Sequence, residues 1–192
     1  MACMIAAMGR WDPDARGRLM QAAMELYSER GYEQTTVAEI ARRAGLTERT
    51  FFRHFADKRE VLFSGSARLQ EAMVSAVAGA PESAAPIEAV AAGIEAAGGF
   101  LQDRDYSRRR QAIIAANPVL RERELIKMAS LASAIAGALR KRGVPDPAAS
   151  LTAEAGTAVF RIAFERWIDE GNEKDLPLLI GESFEELKSL VA

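Results

Sequence analysis

The chain has 192 residues, 49% of them hydrophobic, with 25 Lys and Arg against 27 Asp and Glu, so it is long enough for a sizeable core and not charged enough to be disordered. No run approaches the roughly 18 to 20 uninterrupted apolar residues of a membrane-spanning helix, which leads us to expect a soluble, cytoplasmic protein with no membrane partner. One cysteine, Cys3, excludes an internal disulfide, and one histidine, His54, leaves nothing for a His-rich metal site or a Cys-His or Ser-His-Asp catalytic set, so neither an enzyme, a metal nor a cofactor is expected.

Residues 1–11 are expected to be a flexible N-terminal tail. Met1 to Met8 are apolar but lack the basic start of a signal peptide. Strand signals are scarce, whereas Ala, Leu, Glu, Arg and Met recur at helical spacing, which predicts an all-α fold of about nine helices. The first is announced by Asp12-Pro13 and closed by Gly31, with Leu19, Ala22, Ala23, Leu26 and Tyr27 as its inward stripe. Thr36 opens the second, with Glu39 three residues on to complete a capping box, and Gly45 ends it. Thr47 can cap a short third helix in which Phe51 and Phe55 face inward with Leu46, leaving Arg49, Phe52 and Arg53 outside. Asp57 and Glu60 start a long fourth helix carrying Leu62, Leu69, Met73 and Val77 inward, with Gly65 a tolerable weak point. Gly79 to Pro86 reads as a linker. Further helices are expected from about Ile87 to Gln102, Tyr106 to Ala116, on to Arg142, Ala148 to Glu170 and Asp175 to Val191.

Between Ile40 and Glu60, six basic residues (Arg42, Arg43, Arg49, Arg53, Lys58, Arg59) stand against Glu48, Asp57 and Glu60, a local excess of three on a chain of net charge -2. Such a patch suits DNA phosphates or is an ordinary solvated helix face. Two short capped helices joined by a glycine turn, Thr36 to Phe55, form a helix-turn-helix pattern, whose second helix is thin enough to enter the major groove.

At these residues the chain resembles the tetracycline-repressor (TetR) family of bacterial regulators. The resemblance rests on Leu26-Tyr27-Ser28-Glu29-Arg30-Gly31-Tyr32, Thr35-Thr36-Val37, Ile40-Ala41, Ala44-Gly45-Leu46-Thr47, Phe51-Phe52-Arg53-His54-Phe55, Lys58 and Leu62. It covers about the first third of the chain. What it implies is a helix-turn-helix DNA-binding domain over 12–57 and a helical regulatory and dimerisation domain over 58–192, in a regulator of transcription.

Carried across by position, the resemblance implies DNA contacts from Thr36, Thr47, Glu48, Arg49, Thr50, Phe52, Arg53 and His54, with Lys58 on a phosphate; Arg42 and Arg43 are read as solvated or phosphate-near rather than base-reading, and Arg43 is placed among the contact residues. Phe52 stands where the family commonly has tyrosine, so a hydroxyl contact to phosphate is missing and ring packing on a sugar or thymine methyl remains. The other reading of His54 is simple packing beside Phe51 and Phe55. Arg108-Arg109-Arg110 is read as a wet helix face.

One helix-turn-helix unit reads too few base pairs, so a homodimer on a pseudo-palindrome in double-stranded DNA is expected. The helix around Ala155 to Ile168 is apolar on more than one face and must be covered twice. Val159, Ile162 and Ala163, with Leu176, Leu179, Ile180, Phe184 and Leu187 of the last helix, are the candidate dimer surface. The family resemblance also implies a small-molecule effector within the C-terminal helices, for which Met73, Phe100, Ile114, Met128, Phe160 and Phe164 are candidate lining, with repression relieved by an apolar compound. The competing reading is a helical ligand-binding or protein-interaction module without DNA, which leaves the outward Arg49 and Arg53 without a purpose.

Overall fold

A computed structural model describes residues 14–169, 171 and 173–191. The expected tail, and the Asp12-Pro13 start of the first helix, lie outside the described residues. All regular structure among those described is helical: ten α-helical segments and one short 3₁₀ helix. The chain forms two compact units, one ending at Leu62 and the other beginning at Phe63.

In the first unit, α1 (Ala15–Arg30), α2 (Val37–Arg43) and α3 (Glu48–His54) enclose a small core. The stripe expected on α1 is buried in full, and Ile40, Ala41, Phe51 and Phe55 join it. Gly31 ends α1 with φ at 84°, where an L side chain is strained, and its N–H returns to the Tyr27 carbonyl at 3.0 Å. The α2–α3 turn depends on Gly45 at φ 66°, which lets the Leu46 N–H reach the Ala41 carbonyl at 2.8 Å. Sequence periodicity gave no sign of what holds this turn: the Arg18 guanidinium donates to the Ala44 carbonyl, through Nε at 3.1 Å and also through Nη2. An arginine from α1 therefore satisfies a carbonyl that α2 leaves unpaired at its C-terminus.

The fourth helix differs from expectation. It is split into α4 (Glu60–Phe63) and α5 (Ser66–Gly79). Asp57 starts α4 as expected, accepting from the N–H groups of Arg59 at 2.8 Å and Glu60 at 3.1 Å. The break falls at Ser64-Gly65, where the flexible glycine is followed by Ser66, whose hydroxyl donates to the Phe63 carbonyl at 2.7 Å and competes with the helical pattern. Taken as one interrupted element, α4 and α5 bring the helices to nine.

The second unit contains α5, α6 (Pro86–Glu95), a 3₁₀ turn (Ala96–Gly99), α7 (Arg104–Ala116), α8 (Pro118–Lys141), α9 (Asp146–Ile168) and α10 (Leu176–Val191). The helix expected to reach Gln102 stops at Glu95, since Gly98-Gly99 cannot sustain it. The next begins two residues earlier than expected, because the Asp103 carboxylate accepts from the Tyr106 N–H at 2.8 Å. Helix α6 lies between α5 and α9, and two glycines set the spacing. A Cβ on Gly93 would fall 2.6 Å from Val77 Cγ2 and 3.0 Å from the Met73 carbonyl oxygen, and one on Gly156 of α9 would overlap Val90 Cγ1. Met73, Val77, Val90, Ile94, Ile135, Leu139, Phe160 and Trp167 form the centre of this core. Arg142 closes the far end of α5, donating to the carbonyls of Ala80 at 2.6 Å and Pro81 at 2.7 Å.

Candidate nucleic-acid interface

Helix α3 is held by its buried face and by its cap. Phe51 and Phe55 stack into the core with ring centroids 5.5 Å apart, and the Arg16 guanidinium lies over Phe55 at 5.3 Å. Thr47 caps the helix, its hydroxyl accepting from the Thr50 N–H at 3.2 Å and lying 3.0 Å from the Thr50 hydroxyl. With those points fixed, Glu48, Arg49, Phe52 and Arg53 project outward. Phe52 is 55% exposed, edge-on to Phe51 at 5.5 Å.

Helix α2 presents its start in a similar way. The Glu39 N–H donates to the Thr36 hydroxyl at 3.3 Å, and Glu39 Oε2 accepts from the Thr36 N–H and the Thr36 hydroxyl, each at 2.9 Å. This is the capping box expected from sequence. Those hydrogen bonds from Thr36, backbone first and hydroxyl second, hold the Glu39 carboxyl below its ordinary range, with Arg30 at 2.9 Å adding to the effect.

Three of the residues expected at the interface are committed elsewhere. Arg43 forms two parallel bonds with Glu29 at 2.8 and 2.9 Å and a third with Glu25 at 3.2 Å. The hydrogen bonds it donates to Glu29 and Glu25 raise its pKa, and the same contact lowers that of Glu29. Glu25 and Glu29 are one turn apart on α1, so a clamp for a neighbouring arginine was legible in principle. Lys58 donates to the carbonyls of Tyr32 and Thr35 at 2.9 Å each and of Glu33 at 3.3 Å, with Nζ 4.3 Å from the centre of the Tyr32 ring. All three ammonium protons are thereby used, and the side chain pins the α1–α2 connection from the start of α4. His54 lies beside Phe55 with its Nε2 enclosed and unpartnered, which matches the packing alternative rather than a solvent-facing contact.

Of the arginines on α2 and α3, Arg42, Arg49 and Arg53 make no ion pair among the described residues, and all three are exposed. Arg42 was passed over as a contact residue at the sequence level, where nothing separated it from Arg43.

In the second unit, Met73, Ile114 and Phe160 are buried, and Met128 and Phe164 are partly buried. Phe100 is 48% exposed, because the 3₁₀ turn leaves it at the surface, so it does not line the interior. Most of the expected dimer surface is likewise corrected. Val159, Ala163, Leu176, Leu179, Ile180 and Phe184 pack within this unit's own core, and Leu187 packs against it. Only Ile162 of that set faces outward, 43% exposed, on a stripe of α9 with Leu151, Ala155 and Ala158. The arginine run is not uniformly wet either: Arg108 donates to the Ile168 carbonyl at 2.7 Å, and Arg110 lies over the Phe63 ring at 5.2 Å. Among the described residues no group of three or more His, Cys, Asp or Glu is placed to hold a metal, and no helix is long and apolar enough to cross a membrane.

Residues 19–64 match the profile described as bacterial regulatory proteins, tetR family, and residues 84–192 match that of the MftR C-terminal domain. The transcriptional regulator TcmR of Streptomyces glaucescens is 38% identical over 88 residues, which are 46% of this chain and 39% of that protein. That likeness therefore spans well under two thirds of the relative's length. A transcriptional regulator from Aquifex aeolicus VF5 superposes with a TM-score of 0.58 at 21% identity, covering 92% of this chain and 99% of the other. FadR from Bacillus subtilis, solved with stearoyl-CoA, superposes at 0.62 with 21% identity, covering 89% and 96%.

Proposed function

The chain belongs to the TetR family of bacterial regulatory proteins, and from that premise we propose that it is a dimeric repressor, released from a pseudo-palindromic operator by a small effector with an apolar body. The observation that carries the DNA half of this reading is the outer face of α3, where Arg49, Phe52 and Arg53 are exposed on a helix anchored by Phe51 and Phe55. An arginine can neutralise a phosphate, or pair bidentately with guanine O6 and N7, and a phenyl ring can pack on a thymine methyl. Glu48 fits an acceptor role toward a cytosine amine. Thr36 and Thr47 spend their hydroxyls on capping, so their part is to set the helix N-termini rather than to read bases, and the Thr50 hydroxyl is bonded to that of Thr47.

The count of uncommitted cations gives this proposal a number. Arg42, Arg49 and Arg53 make three per protomer and six per dimer, and each neutralised phosphate contributes about -0.9 to the slope of log affinity against log salt. A slope of about -5 is expected.

A twofold interface through the outward stripe of α9, Leu151 to Ile162, fits a surface that is apolar outside as well as inside. Leu178 of α10 is exposed as well. The buried Met73, Ile114 and Phe160 and the flanking Met128 and Phe164 supply the apolar lining for an effector. A bacterial repressor acts in the cytoplasm, and we assign the protein there.

Selection of random duplex DNA by the purified protein, followed by a salt titration of the winning sequence, tests the reading. A pseudo-palindrome with that slope is expected, and its binding is lost in the Arg49→Ala, Arg53→Ala double variant. Folded protein that enriches no sequence would return the chain to the class of helical binding modules without DNA.

A further inference from the structure

Where α7 packs on α8 in the second unit, half-buried polar side chains meet. Gln111 Nε2 donates to Glu124 Oε2 at 3.0 Å, Arg110 Nη1 lies 3.7 Å from Glu124 Oε1, and the Arg110 guanidinium covers the Phe63 ring at 5.2 Å. Burial pushes the Arg110 pKa down against the pull of Glu124, and burial raises that of Tyr106 one turn earlier. The remaining oxygen of Gln111, Oε1, is closed off from solvent and has no hydrogen-bond partner. Turning the amide over does not help, because Nε2 would then face away from the carboxylate it now serves.

Two helices that only had to pack would be better served by an apolar residue at Gln111, since an unpartnered buried acceptor opposes folding. The surroundings suit a ligand with an apolar body. Ile114 follows Gln111 by three residues and is buried, and Met128 follows Glu124 by four and is partly buried, so each lies one helical turn along the same face. The charges already balance, Arg110 against Glu124, and the open valence is a single acceptor.

We infer that Gln111, with Glu124 and Arg110 behind it, forms the polar end of the effector site, and that the effector is a neutral amphipathic molecule whose head donates a hydrogen bond, an alcohol, phenol or amide. The inference rests on the effector reading above and narrows it. The donor fills Gln111 Oε1, and the apolar body runs toward Ile114 and Met128. A carboxylate or phosphate head is disfavoured because it offers only acceptors to an acceptor and adds a charge beside Glu124. Phe63 is the last residue of α4, the segment in which the chain passes from one unit to the other, so a ligand that draws Arg110 acts on a residue of that connection.

Three probes of one size test this on the full chain: 4-hexylphenol, its methyl ether 4-hexylanisole, and 4-hexylbenzoate. Binding is read by thermal melting and by displacement of the selected operator. The phenol is expected to bind about tenfold to a hundredfold more tightly than the ether, the range for leaving one buried acceptor unpaired, and more tightly than the benzoate. Gln111→Met keeps the length and removes the acceptor; it should abolish the preference for phenol over ether and leave ligand-free operator binding unchanged. Equal binding of phenol and ether, preference for the benzoate, or binding of none of the three overturns the inference, and the comparison on the unsubstituted protein stands even where the variant fails to fold. The effector reading itself is judged separately, by whether any small-molecule extract of the host bacterium releases the operator.

Discussion

The two units keep their helices in place by different means. In the first, short helices of seven residues have too few internal bonds to persist alone, and polar devices at their ends do much of the work: the Thr36–Glu39 box, the Thr47 cap, Arg18 on the α2–α3 turn and Lys58 on the α1–α2 connection. In the second, helices of up to 24 residues are packed through a continuous apolar core, and the tightest constraints are absences of side chain at Gly93 and Gly156. A region built on specific polar contacts holds a surface to a fixed shape, which suits reading DNA. A region built on non-directional packing can exchange one arrangement for another, which suits a response to a ligand.

That contrast also explains what was legible. Caps require Ser, Thr, Asp or Glu at set offsets and helix stops a glycine, so the end of α1, both ends of α2, the start of α3 and the outward Arg49, Phe52 and Arg53 are readable from residues alone. Apolar periodicity located α7 to α10 within a few residues but could not say which side of a twice-covered helix meets which neighbour. Val159, Leu179 and Phe184 were therefore assigned to a partner although they fill their own core. Long-range pairings were invisible for the same reason: Arg18 with Ala44, Arg43 with Glu29 and Lys58 with Thr35 join positions 14 to 26 residues apart. The break in the fourth helix was signalled by Gly65, but a single glycine does not declare whether a helix tolerates it or ends there.

The largest expected effect is on the small core. Phe51→Ala removes a fully buried ring and should cost the first unit about 3–5 kcal/mol. Hydrogen exchange resolved by peptide should rise across α1 to α3 and stay unchanged in α9; a rise in both would break the division into two units. Next is Gly156→Val, which forces a branched side chain into Val90 and should destabilise the second unit by about 3 kcal/mol, the upper part of the range for overpacking. Here the exchange pattern should be the reverse, with α6 and α9 loosened and α1 to α3 protected as before.

Lys58→Met separates a structural cation from a DNA-facing one. Loss of its hydrogen bonds to Tyr32 and Thr35 should lower stability by about 1–2 kcal/mol, measured by denaturant melting. The slope of operator affinity against salt should stay near its original value, because the ammonium is already spent inside the unit. Arg49→Ala should do the opposite, leaving the melt unchanged and making the slope shallower by about two, one phosphate per protomer. A Lys58 variant with a shallower slope would place that ammonium on a phosphate after all.

The smallest effect is on acid sensitivity, and it follows from where the lowered carboxyls lie. Glu29 and Glu39 are both held below their ordinary pKa, the first by hydrogen bonds from Arg43 and the second by those from Thr36. Asp57 is raised by burial, but the Arg59 guanidinium and the N–H groups of Glu60 and Arg59 outweigh that and leave it lowered. A carboxyl with a depressed folded-state pKa adds stability above its unfolded value, near 4.5 for a glutamate, and that stability is lost as pH falls through the folded value. All three belong to the first unit, whereas Glu182 is its counterpart in the second. Denaturant midpoints should therefore fall as pH drops below about 4.5, less steeply in Glu39→Gln, which has no proton to take up at that cap. If Glu182→Gln flattened the profile and Glu39→Gln did not, the acid-sensitive contacts would lie in the apolar unit, and the contrast between a polar-braced head and a packed regulatory core would have to be drawn elsewhere.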